Sequence, residues 1–207
     1  MRIVDMSKEP RAAQFEYFMS LPSPHVNITV NVDITHLYRV VKAQGYPFFL
    51  SLLYCAINAA NAIPEFRRRI KDGQVVEFEN CLSSHTVALE NGSYCYCEID
   101  CSKPFEEYLP YAMEKVAQAK KNPLLEDQTD TAQLYFVSSL PWLTFTSLQH
   151  PTTGPLDCNP RITFGKYFEQ SGKLLMPLNL VLHHALADGI HIARYYENFD
   201  RQVARMK

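Results

Sequence analysis

Near the C-terminus of this 207-residue chain, two adjacent histidines, His183 and His184, stand ahead of an aspartate-glycine pair, Asp188-Gly189. Histidine is the side chain whose ordinary pKa lies nearest neutrality, so a positioned imidazole can take a proton from a hydroxyl at physiological pH. The preceding residues, KLLMPLNLVL, read as an apolar strand, and Asp188-Gly189 reads as the opening of the last helix. A side chain at such a junction lies at the edge of a sheet, where a small molecule can reach it. Successive strand residues face opposite sides, so His183 and His184 do not share one pocket if the strand continues through both. There are simpler readings of the same residues. Asp188 can be a helix N-cap and nothing more, and His183, His184 and His191 can be ordinary packed or surface side chains.

The elements that must position this pair follow from periodicity. Alternation in VNITVNVDIT, Val26 to Thr35, predicts a strand with one buried face, followed by a helix that stops at Gly45. YPFFLSLLYCAINAANAIPEF predicts a helix that is apolar on most faces, with Pro47 in its first turn and Pro64 at its end. RRRIKDGQVVEFE carries an Asp-Gly hairpin turn, and SSHTVALENGSYCYCEID a second strand pair turning at Asn91-Gly92. Phe105, Leu109, Ala112, Met113 and Val116 lie on one helical face, with Pro110 as a candidate kink. QLYFVSSLPWLTF and RITFGKYFEQSGKLLMPLNLVLHH supply further strands. Ile192, Tyr195, Tyr196, Phe199, Val203 and Met206 form the stripe of a final helix. Helices alternating irregularly with hairpins imply an α+β fold, a single domain over residues 1–207 with a mixed β-sheet flanked by helices. No linker or repeat divides the chain.

Bulk composition excludes several functions. With 20 basic and 22 acidic residues and a net charge of -2, nothing points to nucleic acid or an anionic membrane. The run Arg67-Arg68-Arg69 reads as a solvated face. No apolar leader opens the chain and no stretch is long and apolar enough to span a bilayer, so a cytoplasmic location is expected. In that setting the six cysteines should be mostly reduced. Cys95, Cys97 and Cys101 lack the spacing of a structural zinc site, and the alternation around them reads as a strand; no metal is expected.

HHxxxDG, here His183 to Gly189, resembles the signature of the chloramphenicol acetyltransferase family within the CoA-dependent acyltransferases. PRAAQFEYF, NAIPEFRRRIKDGQVVEFE, VSSLPWLTFTS and TFGKYFEQSGKLLMPLNLVLHHALADGIHIAR are similar to family segments in the same order, so the likeness spans nearly the whole chain. The resemblance implies an acetyl-CoA-dependent O-acetyltransferase. His184 would be the general base, Ser138 the donor to the oxyanion, Asp188 and Arg11 a pair that fixes geometry, and Thr163 a holder of the intermediate through water. Lys166 and Tyr167 would lie near the CoA cosubstrate, and Phe18, Leu148 and His150 in the pocket of the small-molecule alcohol acceptor. It also implies a homotrimer, with the histidine of one subunit facing an acceptor pocket built largely by its neighbour. Taken alone, each residue has a plainer reading: a surface ion pair for Arg11 and Asp188, strand residues for Ser138, Thr163, Lys166 and Tyr167.

Departures from the family pattern gather at the acceptor pocket. SLQHPTTG puts His150 and Thr152 where apolar residues are usual, Phe18 stands where tyrosine is common, and Cys95 to Cys97 stand near a usual phenylalanine. Acetyl transfer is therefore better supported than chloramphenicol as acceptor. The alternatives are an acyltransferase of the same fold acting on another alcohol or thiol, an inactive binding paralogue, and a zinc protein using His183, His191 and the cysteines. Dihydrolipoyl acyltransferase cores follow a lipoyl domain and an Ala/Pro linker, and these 207 residues contain neither.

Overall fold

The predicted segments resolve into ten strands and five α-helices in a computed structural model describing residues 1–207. In chain order they are β1 (Arg2–Val4), α1 (Ala12–Met19), β2 (His25–Asp33), α2 (Thr35–Gln44), α3 (Phe48–Asn61), β3 (Arg68–Lys71), β4 (Gln74–Glu77), β5 (Leu82–Ala88), β6 (Tyr94–Ile99), α4 (Phe105–Lys121), β7 (Leu134–Leu140), β8 (Arg161–Gly165), β9 (Phe168–Gln170), β10 (Lys173–His183) and α5 (Gly189–Arg205). The main sheet has the order β2-β10-β8-β7-β5-β6, with β9 paired to β10, and β1-β4-β3 form a small second sheet. β7 is parallel to β5 and β8, and the remaining pairs are antiparallel, so the sheet is mixed as predicted. Parallel strands need a crossover. Helix α4 supplies it between β5 and β7, whereas residues 141–160, between β7 and β8, contain neither helix nor strand. No helix is long and apolar enough to cross a membrane.

Register makes the two faces of the main sheet chemically different, because residues opposite one another share a face. Tyr96 lies opposite Thr86, Ser138 opposite Thr163, Thr163 opposite Asn179 and Asn179 opposite Thr29, so this face is polar from edge to edge. The other face carries Cys95, Cys97, Val137, Ile162, Phe164, Leu178 and Leu180, buried in one core with Leu52 and Ile57 of α3, Tyr108 of α4 and Tyr195 and Phe199 of α5. Full burial of a large apolar side chain contributes roughly 1.5–3 kcal/mol, whereas an exposed ion pair such as Arg201–Glu197 on α5 contributes about 1 kcal/mol at most. The apolar stripe of Ile192, Tyr195, Phe199 and Val203 therefore holds α5 in place.

Local signals place most boundaries, with instructive differences. Asp72 and Gly73 both have positive φ, 51° and 75°, the conformation a two-residue turn between twisted strands requires. At the second pair the turn is longer: Leu89 N–H donates to Ser93 O and Gly92 N–H to Leu89 O, so Asn91-Gly92 is only part of the connection. The strand predicted to Thr35 ends at Asp33, whose carboxylate accepts from the N–H and hydroxyl of Thr35 and starts α2. Pro47 caps α3 from outside its first turn, and α3 ends before Pro64, which opens a short 3-10 turn.

The arginine run is the clearest correction. Arg69 is fully buried, donating to the carbonyls of Phe66 (2.8 Å), Arg68 (2.7 Å) and Leu134 (3.0 Å), with its guanidinium over the Tyr135 ring. Arg68 is buried too and pairs with Glu77 at 3.2 Å and Glu9 at 3.1 Å. Charge alone suggested solvent, but a guanidinium with several carbonyl acceptors tolerates burial. All six cysteines are free and buried, and Cys95 and Cys97 face the core from β6.

Candidate active site

β10 ends at His183 and the chain turns through Ala185 to Ala187 before Asp188 caps α5. The two histidines are held in different ways. His183 is buried. Its Nε2 lies 2.8 Å from Pro155 O and therefore donates there, and its Nδ1 accepts from Ala185 N–H at 3.3 Å. Burial, first among several influences, pushes it below the ordinary histidine pKa, and with both nitrogens engaged it has no site for a substrate proton. His184 is half-buried and stacked on Phe18 of α1, ring centroids 3.8 Å apart at 9°. Its Nδ1 lies 3.1 Å from Ala187 O. A carbonyl oxygen only accepts, so the contact keeps the hydrogen on Nδ1 and makes Nε2 the acceptor nitrogen.

Arg11, just before α1, braces this turn. Its Nε donates to Asp188 Oδ2 at 2.7 Å and its terminal nitrogens to Ala185 O (3.1 Å) and His184 O (3.0 Å). Asp188 also accepts from Ile190 N–H, and its own N–H donates to Nδ1 of His191. The helix-cap role and the arginine pair thus coexist. Burial acts to raise the Asp188 carboxyl, but the neighbouring Arg11 charge and the hydrogen bonds outweigh it and hold the group below the ordinary carboxylate value.

Ser138 and Thr163 lie opposite one another on the polar sheet face, Ser138 half-buried and Thr163 fully buried. Thr163 Oγ1 meets His150 Nε2 at 2.7 Å. Ser138 and His150 line a cleft of about 320 Å³; Phe18, Leu148 and Thr152 of the same chain do not line it. The segment carrying His150 is pinned across the polar face. Asn27 on β2 donates to Leu148 O, His183 to Pro155 O and His25 Nε2 to Asp157 O at 2.6 Å, while Arg161 clasps the Asp157 carboxylate at 3.0 and 2.6 Å. Asn27, His25, Asn179 and Arg161 were not among the residues singled out from sequence. The signal for His25 and Asn27 lies in the polar alternation of β2, HVNITVN; Asn179 and Arg161 are isolated polar residues in largely apolar strands.

Lys166 and Tyr167 follow β8. Lys166 is exposed and its N–H donates to Leu143 O at 2.7 Å; Tyr167 packs against the rings of Tyr38 and Phe48. Gly165 permits this approach, since a Cβ there would meet Phe145 at 2.8 Å and Leu143 O at 3.2 Å. No three His, Cys, Asp or Glu side chains converge as metal ligands.

Within one chain the His184 group and the Ser138 group stay apart. Asn179, Thr163 and Ser138 sit side by side on β10, β8 and β7, and His184 lies five residues beyond Asn179. That places it roughly 17 Å along the strands and roughly 10 Å across them, about 19 Å between the two Cα atoms. One reacting carbon cannot contact both side chains.

The family model described as chloramphenicol acetyltransferase matches residues 1–200. The chain belongs to the chloramphenicol acetyltransferase family. It is 32% identical to the chloramphenicol acetyltransferase of Klebsiella sp, over 92% of this chain and 88% of that protein. The enzyme of Proteus mirabilis is 31% identical over 93% and 89%. A solved chloramphenicol acetyltransferase superposes with a TM-score of 0.85 at 27% identity, covering 98% of this chain and 99% of that one. The dihydrolipoamide acetyltransferase of Azotobacter vinelandii shares the fold, with a TM-score of 0.67 at 20% identity over 99% and 92%. As a member of the chloramphenicol acetyltransferase family the chain is an acyltransferase, built on the fold that the family and the wider CoA-dependent acyltransferases share.

Proposed function

We propose that residues 1–207 form an acetyltransferase domain that moves the acetyl group of acetyl-CoA to a hydroxyl of chloramphenicol or a related alcohol. The observation that carries this reading is the state of His184: Nδ1 is tied to Ala187 O, and Nε2 is the acceptor nitrogen on a ring clamped by Phe18. Bound acetyl-CoA supplies a thioester carbon open to attack. His184 Nε2 takes the proton of the acceptor hydroxyl as the new O–C bond forms and the C–S bond breaks, and returns it to the departing sulfur. Ser138 Oγ donates to the carbonyl oxygen on which charge develops, with Thr163 beside it. Arg11 and Asp188 act as positioning residues, since their contacts reach the backbone around His184 and leave its Nε2 alone.

The exposed cation of Lys166 and the aromatic edge of Tyr167 fit the phosphate and ring groups of CoA. Phe18, Leu148 and His150 belong to the acceptor side. The gap of about 19 Å between the two groups supports a homotrimer in which His184 of one subunit meets Ser138 of the next. Nothing in the composition directs this enzyme away from the cytoplasm.

Release of CoA thiol, followed with chloramphenicol and a panel of alcohols, tests the reading. His184→Ala is expected to lower turnover by about 10²- to 10⁴-fold with the fold intact. His183→Ala, which removes a loop anchor and no base, is expected to cost far less in turnover. Equal losses from both, in folded protein, would reverse the assignment of the pair.

A further inference from the structure

The cleft beside Ser138 has walls unlike an apolar antibiotic pocket. Tyr94 and Tyr96 project into it from β6 while Cys95 and Cys97 face the core, and the two rings stand 5.8 Å apart at 46°. Ser84 and Thr86 of β5 lie on the same face. Asp127, from the segment after α4, reaches the cleft and accepts from Ser84 Oγ at 2.5 Å. That contact occupies only Oδ1, and no cation pairs with the carboxylate. Aromatic faces beside a carboxylate attract a cation, and quaternary ammonium groups are recognised in such cages.

The other charges around the cleft leave this attraction standing. Arg161 lines it too, over the Phe136 ring, but its guanidinium is closed onto Asp157. Glu98, on β6 next to Tyr96, adds negative charge; its oxygens accept from the backbone of Gln128 and Thr129 and the Thr129 hydroxyl. Lys115 borders the adjoining cleft that shares Tyr96 and Asp127, and forms no ion pair with Asp127 or Glu98. Burial, then the charge of Arg161, push His150 below the ordinary histidine value, so it is no competing cation at neutral pH. Burial also pushes the Asp127 carboxyl up, a cost that a bound cation would offset.

We infer that the acceptor alcohol preferred by this enzyme carries an ammonium group, seated between Tyr94, Tyr96 and Asp127 while its hydroxyl lies at Ser138. The inference rests on the reading of Ser138 as part of the reaction centre. Within about 320 Å³ a single ring with a short arm at each end fits, which suits a hydroxymethyl-benzylammonium.

Two probes of one shape isolate the charge: 4-(hydroxymethyl)benzyl-trimethylammonium and 4-neopentylbenzyl alcohol. Both are run in the thiol-release assay with chloramphenicol as uncharged reference. The cation is expected to show a kcat/KM at least about 10-fold above its neutral isostere, as one desolvated cation–aromatic contact and a carboxylate would give. Asp127→Asn should shrink that ratio to about 2-fold or less. In unmodified enzyme, raising the salt concentration should shrink it in the same direction. Equal kcat/KM for the two isosteres, or a ratio unmoved by Asp127→Asn in folded protein, overturns the inference while acetyl transfer stands. If no acceptor releases thiol, or Ser138→Ala changes turnover of none of them, the reading of the site falls and the inference with it.

Discussion

Sharing of the active site can be tested by combining two crippled variants. His184→Ala removes the proposed base and leaves Ser138; Ser138→Ala removes the proposed oxyanion donor and leaves His184. Loss of one such donor costs about 10²- to 10³-fold and loss of a general base about 10²- to 10⁴-fold, so each variant alone should be nearly silent. Because roughly 19 Å separates the two residues along β10 and across β8 and β7, each site would draw them from different subunits. A closed ring of three containing both variants then has one junction where an intact His184 meets an intact Ser138. Coexpression with two different affinity tags and sequential capture on both yields only such hybrids. Their thiol-release rate should reach about a third of wild type per trimer, at least about thirty times either parent. Hybrids confirmed as trimers by light scattering but no more active than the parents would refute the geometry. So would a fully active monomer.

Three further outcomes follow from individual contacts. Asp188→Asn and Arg11→Val should each reduce turnover, and because Arg11 Nε and Asp188 Oδ2 are 2.7 Å apart the double variant should fall short of the product of the two; strict additivity would mean that the side chains do not act together. His150 is not an orphaned polar group, since Thr163 Oγ1 meets it, so His150→Leu should tighten chloramphenicol binding by no more than about 10-fold. Unchanged or weaker binding would place the ring away from the acceptor. Arg69→Met leaves the carbonyls of Phe66 and Arg68 without the guanidinium, at about 1–3 kcal/mol each, while Leu134 O keeps Asn159 Nδ2 at 2.8 Å, so urea unfolding should register a loss of at least about 2 kcal/mol; a smaller loss would mean that water or neighbouring donors replace the guanidinium.

What the sequence determined by itself was local. Helical and strand periodicity, the Asp72-Gly73 turn and the Asp188 cap are legible because each depends on residues a few positions apart, and so is the HHxxxDG stretch that ties the chain to its family. Even the choice between the two histidines was open in outline, since neighbouring strand residues face opposite ways. Only the tertiary structure decided which nitrogen of each is engaged, because the acceptors, Pro155 O and Ala187 O, belong to segments whose paths are set by packing. The same holds for Arg69, whose charge suggested water until the carbonyl of Leu134, 65 positions away, came within reach. The polar sheet face is the largest such case. Asn27, Tyr96, Ser138, Thr163 and Asn179 are single polar residues on different strands, and they form one surface only when register aligns them. Register is a long-range property: a slip by one residue would send every side chain of a strand to the other face, and burial of the apolar set against α3 and α5 forbids it.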